Sequence, residues 1–419
     1  MAERVDMPKK ILIHSLIFSP DGVSTAYLYN DIALKFQECG YEVVVLTTTP
    51  HYNVVETKLL KQPLRWKVWG ICKESSFHGI KVIHVPQKKF KSTLLRIVGF
   101  LYWHIVSFFI ALFQRNIDVI LSPSPPLTIG IVNLWLAKMK GCKVVYNVQE
   151  IYPDILHRKE GLVVSVLKKM ESCVYNKSTA ITTIDRVFYE TIVGRFKDKD
   201  KLHIIPNFVD TALYNPNKGT SQLLDVDLFP ETDSLKLLYA GNIGFAQDWK
   251  PLVELALKTK ELAVEYFVIG EGVMKSSLEE KKKELGLEKV HILPYQPREL
   301  MPSILSYSDI QFIFMSPEME MQGFPSKVYT IMACAKPLLV SSGEGTPIIE
   351  FLQKYNCAKL VTEKDLNKKV DEMLEWLKST SKEDLNTMGK KGLKVIHEEY
   401  AKDVVTEQYV RLIDSFFQS

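Results

Sequence analysis

The first half of the chain alternates short apolar runs with longer segments in which apolar residues recur every three or four positions. The short runs have the length of strands, and the longer segments have the period of amphipathic helices. Regular alternation of the two is typical of a parallel sheet wound with helices. We therefore predict a doubly wound α/β domain. The patterned segments are residues 11–17, 24–37, 42–47, 82–85, 119–121 and 144–148.

The second half repeats this pattern after a break in composition. Pro206 and Asn207 in HIIPNFVD follow a strand pattern, and the Pro/Asn/Gly-rich LYNPNKGTS comes next. Such stretches mark domain boundaries. We predict two Rossmann-like domains, residues 1–205 and 206–395, and a helical segment, 396–419, that can pack on either. The later strand patterns are LKLLYAG, AVEYFVIG, KVHILP, IQFIFM and KPLLVSS.

This arrangement also predicts where a ligand binds. In doubly wound sheets, ligands lie beyond the carboxyl ends of the strands. A ligand that touches both domains would therefore lie in a cleft between them.

The composition of the chain argues against several classes of protein. The chain has 419 residues and a formal charge of +4, which is too small to indicate nucleic-acid binding without a concentrated basic face. Its six cysteines form no CxxC pair, so a reducing cytoplasm fits better than a disulfide framework or a zinc site. The N-terminal residues lack the pattern of a signal peptide. We expect a cytoplasmic protein that binds no nucleic acid.

Residues 94–113 form the longest apolar segment, LLRIVGFLYWHIVSFFIALF. Its length suits a membrane span, but Arg96 and His104 interrupt it and a strand pattern follows directly. A span would divide one sheet between the two sides of a bilayer, so we predict a helix of the first domain instead. That helix is either buried or lies on the inner membrane surface.

The membrane-surface alternative has a specific form. An aromatic face with Phe100, Trp103 and Phe108 would enter the headgroup region, while Lys88, Lys89 and Lys91 meet anionic lipid. Residues 58–70, KLLKQPLRWKVWG, are either a second interfacial contact or an excursion loop.

Two glycine turns follow strand patterns in the second half. YAGNIG contains Gly241, Asn242 and Gly244, and VIGEG contains Gly270. Glycine lets backbone N–H groups approach phosphate oxygens, although it is also common in ordinary turns. Neither turn is a GxGxxG or a GxxxxGK[ST] motif, which argues against nicotinamide oxidoreductases and P-loop enzymes.

A third turn, QGFPSK, precedes a predicted helix from about residue 327 to 335. Lys327 lies in the first helical turn, where the helix dipole disfavours a cation unless it serves an anion. Lys327 is therefore our main candidate for binding phosphate, with the N–H groups near Gly323 and Ser326; the alternative is a solvated lysine. The DxD sequence at Asp225 and Asp227 follows no strand, so we predict no metal site.

Taken in order, these motifs resemble one family. The chain resembles the GT-B-fold glycosyltransferases of family four, in particular the bacterial capsule, O-antigen and colanic-acid transferases. The resemblance covers nearly the whole chain. It is carried by ILIHSLIFSPDGVSTAYLYNDIALKFQECGYEVVVLTTTPHY, DVILSPSPPLTIG, VVYNVQEIYPD, IIPNFVD, LLYAGNIG, VIGEG and GFPSKVYTIMACAKPLLVSS.

The resemblance implies a retaining, metal-independent transferase that needs no cofactor beyond its nucleotide-sugar substrate. The second domain would hold the donor, the first would hold the acceptor, and the last helix would return to the first domain. A UDP-sugar, N-acetylated or deoxy, is the favoured donor. A polyprenyl-diphosphate-linked saccharide is the favoured acceptor, on the cytoplasmic face of the inner membrane.

The donor motif departs from the family pattern. The family places two glutamates eight positions apart, and alignment on the turn with Phe324 puts Gln322 and Thr330 there. Both side chains can still hydrogen-bond sugar or ribose hydroxyls. Glu344, in SSGEGT, either supplies the missing carboxylate or is a solvated loop acid.

The acceptor side is expected in loops of the first domain. The resemblance places Glu150 where related transferases carry an acid that meets the acceptor, as a base or as an orienting residue. The other expected acceptor-side residues follow strand patterns and are Asp21, Gly22, His51 and Asp154.

Two other functions are also compatible with the sequence. A nucleotide-sugar epimerase can share the two-domain shape, but it needs no lipid acceptor. A non-catalytic protein that binds nucleotide sugar or membrane would account for the missing glutamates.

Overall fold

The computed structural model describes residues 8–51, 54, 56–67, 70–87, 92–154, 161–321 and 324–418. The chain forms two compact units. Unit 1 contains the residues up to Asn207 together with those from Val405 onward, and unit 2 is Phe208–Val404. We predicted that the last segment begins at residue 396, but the chain rejoins unit 1 only at Val405. The difference arises because Ile396 packs in the core of unit 2.

Unit 1 is built on a sheet that has nine strands within the described residues, in the order β3-β4-β5-β2-β1-β6-β7-β8-β9. The seven strands from β5 to β9 in this order are parallel, and β3 and β4 form an antiparallel edge. The strands are β1 (Lys10–His14), β2 (Glu42–Thr48), β3 (Arg65–Lys67), β4 (Cys72–Phe77), β5 (Ile80–Val85), β6 (Val119–Pro123), β7 (Lys143–Val148), β8 (Ala180–Thr183) and β9 (Leu202–Ile204).

Six helices connect these strands in the described part of unit 1. They are α1 (Ser24–Glu38), α2 (Glu56–Lys61), α3 (Thr93–Phe113), α4 (Leu127–Lys140), α5 (Leu162–Lys177) and α6 (Arg186–Ile192). Helix α4 contacts both α3 and α5, so these three helices form one layer against the sheet. Leu12, Trp103 and Ile120 lie in the core between that layer and the strands.

Unit 2 is a parallel sheet with six described strands in the order β12-β11-β10-β13-β14-β15. The strands are β10 (Leu235–Ala240), β11 (Val264–Ile269), β12 (Val290–Leu293), β13 (Ile310–Phe314), β14 (Leu338–Ser341) and β15 (Ala358–Val361). The helices are α7 (Lys250–Lys258), α8 (Lys275–Leu285), α9 (Met301–Tyr307), α10 (Lys327–Ala333), α11 (Pro347–Leu352), α12 (Leu366–Ser379) and α13 (Lys382–Val395).

The last helix, α14 (Lys402–Asp414), completes unit 1. Its residues Val405, Tyr409 and Ile413 are buried. The Asn147 side chain at the end of β7 donates to the Tyr409 hydroxyl at 3.0 Å and accepts from the Tyr29 hydroxyl of α1 at 2.6 Å. The helix implied by the resemblance therefore returns to unit 1 and is joined to its sheet by buried hydrogen bonds.

The predicted aromatic face of α3 is wrong. Trp103 is fully buried, and Phe100 and Phe108 are half-buried, because this side of the helix faces the sheet. The opposite side is exposed. The stretch Leu95–Phe113 is long and apolar enough to cross a membrane by length and composition, but α3 packs against β2, β5 and α4. Lys88, Lys89, Lys91 and Trp69 lie outside the described residues.

Candidate active site

Two glycines that follow adjacent strands bring the first two predicted turns together. Gly241 follows β10 and Gly270 follows β11, with φ of +153° and +147°. The Gly241 amide donates to the Ile269 carbonyl at 2.9 Å. A Cβ atom on Gly270 would lie 1.9 Å from the Gly241 carbonyl oxygen. Glycine at 270 is therefore required by both its backbone angle and the space available.

Backbone hydrogen bonds continue beyond these glycines and join the two turns. The Ile243 amide donates to the Glu271 carbonyl, and the Met274 amide donates to the Ile243 carbonyl, both at 2.9 Å. The Tyr239 hydroxyl donates to the Asn242 carbonyl at 2.8 Å. The turn with Gly241, Asn242 and Gly244 is consequently held in one conformation at the carboxyl end of the sheet.

Lys327 extends from the first residue of α10 to this turn. Its Nζ lies 3.8 Å from the centroid of the Tyr239 ring and 2.4 Å from the position that a Cβ atom on Gly241 would occupy. A side chain at position 241 would displace the ammonium group from this place, and the φ of +153° at Gly241 also disfavours any other residue. The contact with the ring face is a cation–π interaction.

The Lys327 ammonium has no hydrogen-bond or ion-pair partner among the described residues. Burial lowers its pKa from the ordinary value of 10.5 to about 7. A buried cation without a counter-charge is destabilised, and a bound anion would relieve that cost. The third predicted turn thus contributes a cation to the surface formed by the first two.

The remaining predicted donor residues have different surroundings. Ser326 immediately precedes α10, and the Thr330 hydroxyl donates to the Lys327 carbonyl at 2.8 Å. The Phe324 ring packs on Tyr329 and Phe351, with centroids 5.1 and 4.9 Å away, so it fixes the segment that leads into α10. Gln322 and Gly323 lie outside the described residues.

Glu320 joins this segment to the loop after β14. Its Oε2 accepts from the Gly343 amide at 2.6 Å and from the Ser342 hydroxyl at 3.2 Å. Glu344 follows in the same loop and is exposed. The segment before α10 and the loop with Glu344 are therefore held side by side.

In unit 1, two predicted acceptor-side residues lie together. The His51 amide, after β2, donates to Asp21 Oδ1 at 2.8 Å. The His51 side chain, through Nδ1, lies 2.8 Å from the Thr49 carbonyl. Asp21 is buried and Gly22 is half-buried, and both lie between β1 and α1. The loops after β1 and β2 are thereby joined at the carboxyl edge of the sheet.

The two acids after β7 have separate partners. Burial raises the pKa of Glu150, opposed by a hydrogen bond with Tyr152. Asp154 instead accepts from the Arg195 guanidinium at 2.6 Å, and Arg195 also pairs with the buried Glu171 at 2.7 Å. The surroundings of Glu150 therefore favour its protonated form, whereas Asp154 belongs to an ion-pair network.

No metal-binding cluster of three or more His, Cys, Asp or Glu side chains occurs in the described part of the chain. The Asp225 side chain accepts from the Asp227 amide at 3.0 Å and so forms a local turn.

Two further residues of the site, Tyr239 and Glu320, were not predicted from the sequence. Tyr239 is an aromatic residue two positions before a strand-end glycine, and Glu320 is an acid two positions before the predicted donor segment. Both signals were present in the sequence. Their partners, Lys327 and Gly343, became evident only from the tertiary structure.

Comparisons with known proteins cover both units. A model of the family described as Glycosyltransferase Family 4 matches residues 27–213, and a model of Glycosyl transferases group 1 matches residues 223–395. The chain is 21% identical to the putative colanic acid biosynthesis glycosyl transferase WcaI of Escherichia coli (strain K12), over 83% of this chain and 86% of WcaI. It is 20% identical to the probable glycosyltransferase WbjE of Pseudomonas aeruginosa, over 71% of this chain and 75% of WbjE.

The fold is also found in solved structures. That of Anabaena Alr3699/HepE in complex with UDP superposes with a TM-score of 0.71 at 14% identity, covering 97% of this chain and all of that one (100%). The expected α/β class with two Rossmann-like sheets is confirmed. Since the two family models match successive parts of the chain, the chain belongs to the family-4 glycosyltransferases and has the GT-B fold.

Proposed function

We propose that this protein is a retaining glycosyltransferase that moves a sugar from a nucleoside-diphosphate donor to a lipid-linked saccharide. The favoured donor is a UDP-sugar, N-acetylated or deoxy. The favoured acceptor is carried on a polyprenyl diphosphate at the cytoplasmic face of the inner membrane. The reaction would belong to surface polysaccharide biosynthesis, as the names of WcaI and the lipopolysaccharide glycosyltransferase WaaG indicate for those proteins.

The Lys327 ammonium lies against Gly241 and has no hydrogen-bond or ion-pair partner in the described part of the chain, and this observation supports donor binding in unit 2. Sugar transfer leaves negative charge on the departing diphosphate. A preorganised cation stabilises that charge in the transition state more strongly in a low-dielectric site than in water. We therefore assign this role to Lys327 rather than to a metal ion. Solved structures of HepE contain UDP or UDP-glucose, which favours a uridine nucleotide here.

The other site residues complete the proposal. Backbone N–H groups near Gly241, Gly244 and Gly270 would accompany Lys327 around the diphosphate, and Gln322, Thr330 and Glu344 would bind the sugar or ribose. In unit 1, Glu150 would orient or deprotonate the acceptor hydroxyl, since a raised pKa makes its carboxylate a better base. Asp21, Gly22 and His51 would line the acceptor side, with Asp154 held nearby by Arg195.

Donor binding is tested by calorimetry with UDP, GDP and CDP on the wild type and Lys327→Met. We expect UDP to bind best and the variant to bind it roughly 10- to 150-fold more weakly, because a charge-assisted hydrogen bond contributes about 1.5–3 kcal/mol. Lys359→Met is the matched control. Lys359 lies on β15 and pairs with Glu372, so its loss should leave UDP affinity unchanged.

Transfer itself is tested with labelled UDP-sugars and a membrane extract. Label should enter a lipid-extractable saccharide with the wild type and Lys359→Met, but not with Lys327→Met. The anomeric configuration of the new linkage should equal that of the donor. Conversion of the free nucleotide sugar to its epimer, without labelled lipid, would instead identify an epimerase. Tight UDP binding with neither product would identify a non-catalytic binding protein.

A further inference from the structure

We propose that the outer faces of α3, α4 and α5 form one docking surface for an anionic lipid bilayer. This inference rests on the proposed function for its lipid-linked acceptor. Docking to the bilayer can nevertheless be measured without any sugar substrate. It differs from the aromatic face expected from the sequence, because the aromatic residue Trp103 lies in the core and other residues face outward.

Helix α3 carries an exposed apolar stripe along its whole described length. The stripe residues are spaced by three or four positions, so they lie on one side of the helix. Ile105 is 57% exposed and Phe113 is 78% exposed. A helix of 21 residues is about 31 Å long, so the stripe would lie along a membrane surface rather than contact it at one point. The stripe consists of Leu95, Val98, Tyr102, Ile105, Phe109 and Phe113.

The neighbouring helices extend this apolar surface. On α4, Trp135 is 66% exposed and Met139 lies one turn later on the same side. On α5, Leu162 is 83% exposed, and Val163 and Val166 are also exposed. Because α4 contacts both α3 and α5, the outward faces of the three helices form one continuous layer. Contiguous apolar patches on a soluble unit mark interaction surfaces.

The charges around this surface identify the partner. Helices α3 and α4 contain no Asp or Glu, and the single acid of α5, Glu171, is buried against Arg195. The charged side chains that remain exposed on the three helices are all basic. An anionic bilayer complements them, whereas a second copy of the same surface would bring like charges together. The exposed basic residues are Arg96, Lys138, Lys168, Lys169 and Lys177.

The position of the surface suits a lipid-linked acceptor. Each of the three helices follows a strand of the parallel part of the sheet, so each begins at the carboxyl edge. Asp21, His51 and Glu150 lie at that same edge of unit 1. A saccharide whose lipid is inserted beneath Leu95 and Leu162 would be presented at the edge where these three residues lie.

Vesicle flotation tests the apolar contact. Wild-type protein is mixed with vesicles of phosphatidylcholine alone or of phosphatidylcholine with phosphatidylglycerol, without sugar substrates. We expect binding to the anionic vesicles and at least about tenfold weaker partitioning for Ile105→Gln combined with Phe109→Gln. The control, Leu223→Gln combined with Val226→Gln, removes similarly exposed apolar side chains from unit 2 and should bind as the wild type does.

A charge-reversal pair tests the electrostatic contribution. Lys138→Glu combined with Lys169→Glu should weaken binding to anionic vesicles by about tenfold or more, and added salt should reduce this difference. Lys281→Glu combined with Lys283→Glu, on α8 of unit 2, is the matched control. The far-UV circular dichroism spectrum and the unfolding transition of unit 1 should match those of the wild type in all these variants, which establishes that they are folded.

Three results would overturn the inference. The wild type could remain unbound to both kinds of vesicle, or the double glutamine variant could bind as tightly as its control. Light scattering could also reveal a dimer that Ile105→Gln and Phe109→Gln convert to a monomer, in which case a second copy covers the surface. Vesicle binding without any UDP stabilisation would instead contradict the proposed donor site and leave this surface intact.

Discussion

At the scale of single residues, the proposed donor site depends on the charge state of Lys327. In the free protein its pKa is about 7, because burial disfavours the charged form. A bound diphosphate would raise this pKa towards the ordinary value. Above pH 7 the free protein has lost the proton, whereas the complex keeps it, so binding must take up a proton. Donor affinity is therefore coupled to pH over a range in which phosphate ionisation is complete.

We predict that UDP affinity falls between pH 7 and pH 9 by up to roughly tenfold per pH unit. UDP itself stays fully ionised on its phosphates in this range, since the second phosphate pKa is about 6. Calorimetry in two buffers with different ionisation enthalpies measures both the affinity and the proton uptake. Lys327→Arg keeps its charge throughout, so its affinity should be independent of pH. A wild-type affinity that is constant from pH 7 to 9 would rule out this role for Lys327.

Gly270 is a second residue whose replacement has a defined cost. In Gly270→Ala the new Cβ meets the Gly241 carbonyl, and the backbone keeps a φ of +147° that disfavours alanine. We predict a loss of roughly 2–4 kcal/mol in the free energy of unfolding of unit 2, with weaker UDP binding. Denaturant titration measures the first and calorimetry the second. Gly194→Ala, which meets no atom within 4 Å, should change neither.

These residues also show what the sequence could predict about the site. The strand-end glycines and the lysine at the start of a helix were predicted because backbone turns and helix dipoles are local properties. The Tyr239 ring beneath Lys327 was not predicted, because their contact joins residues 88 positions apart, the difference between 327 and 239. Local patterns therefore indicated the candidate groups of the site, whereas tertiary contacts determine their orientation and the pKa of Lys327.

At the scale of elements, Glu320 connects the segment before α10 with the loop after β14. We predict that Glu320→Ala lowers the free energy of unfolding of unit 2 by about 1–3 kcal/mol, because it leaves the Gly343 amide without its acceptor. It should also raise KM for the donor more than it lowers kcat. Glu318→Ala changes a neighbouring exposed acid and provides the comparison. A Glu320→Ala variant as stable as the wild type would mean that the Glu320 contact contributes nothing measurable.

The sequence predicted the central strands but not the edge of the sheet in unit 1. Strands β1, β2, β6 and β7 are buried apolar runs, whereas β3 and β4, with RWK and CKESSF, are largely polar and were not predicted as strands. The face of α3 was predicted wrongly for a related reason. That helix is apolar on nearly every side, so periodicity could not indicate which side meets the sheet. The buried side of such a helix can be assigned only when the elements that pack against it are known.

At the scale of the whole molecule, the two units should respond separately to ligand and mutation. We predict that UDP at 100 times Kd raises the stability of unit 2 by about 2.7 kcal/mol and leaves the unfolding transition of unit 1 in place. Tyr409→Phe should instead affect unit 1 and leave the stability of unit 2 unchanged. It removes the hydroxyl that accepts from Asn147 and should lower the stability of unit 1 by about 1 kcal/mol. Calorimetric scans with tryptophan and far-UV probes distinguish the transitions. A single transition that shifts as a whole would contradict this prediction.

The return of the chain at Val405 also has a consequence for synthesis on the ribosome. Unit 1 begins with the first described strand, yet it lacks Val405, Tyr409 and Ile413 until all of unit 2 has been synthesised. Unit 2 is continuous from Phe208 to Val404, so all of its sheet is available earlier than the last helix of unit 1. Unit 1 therefore begins first during synthesis but is completed last. Until α14 is synthesised, the apolar surface of unit 1 that α14 covers stays exposed to solvent.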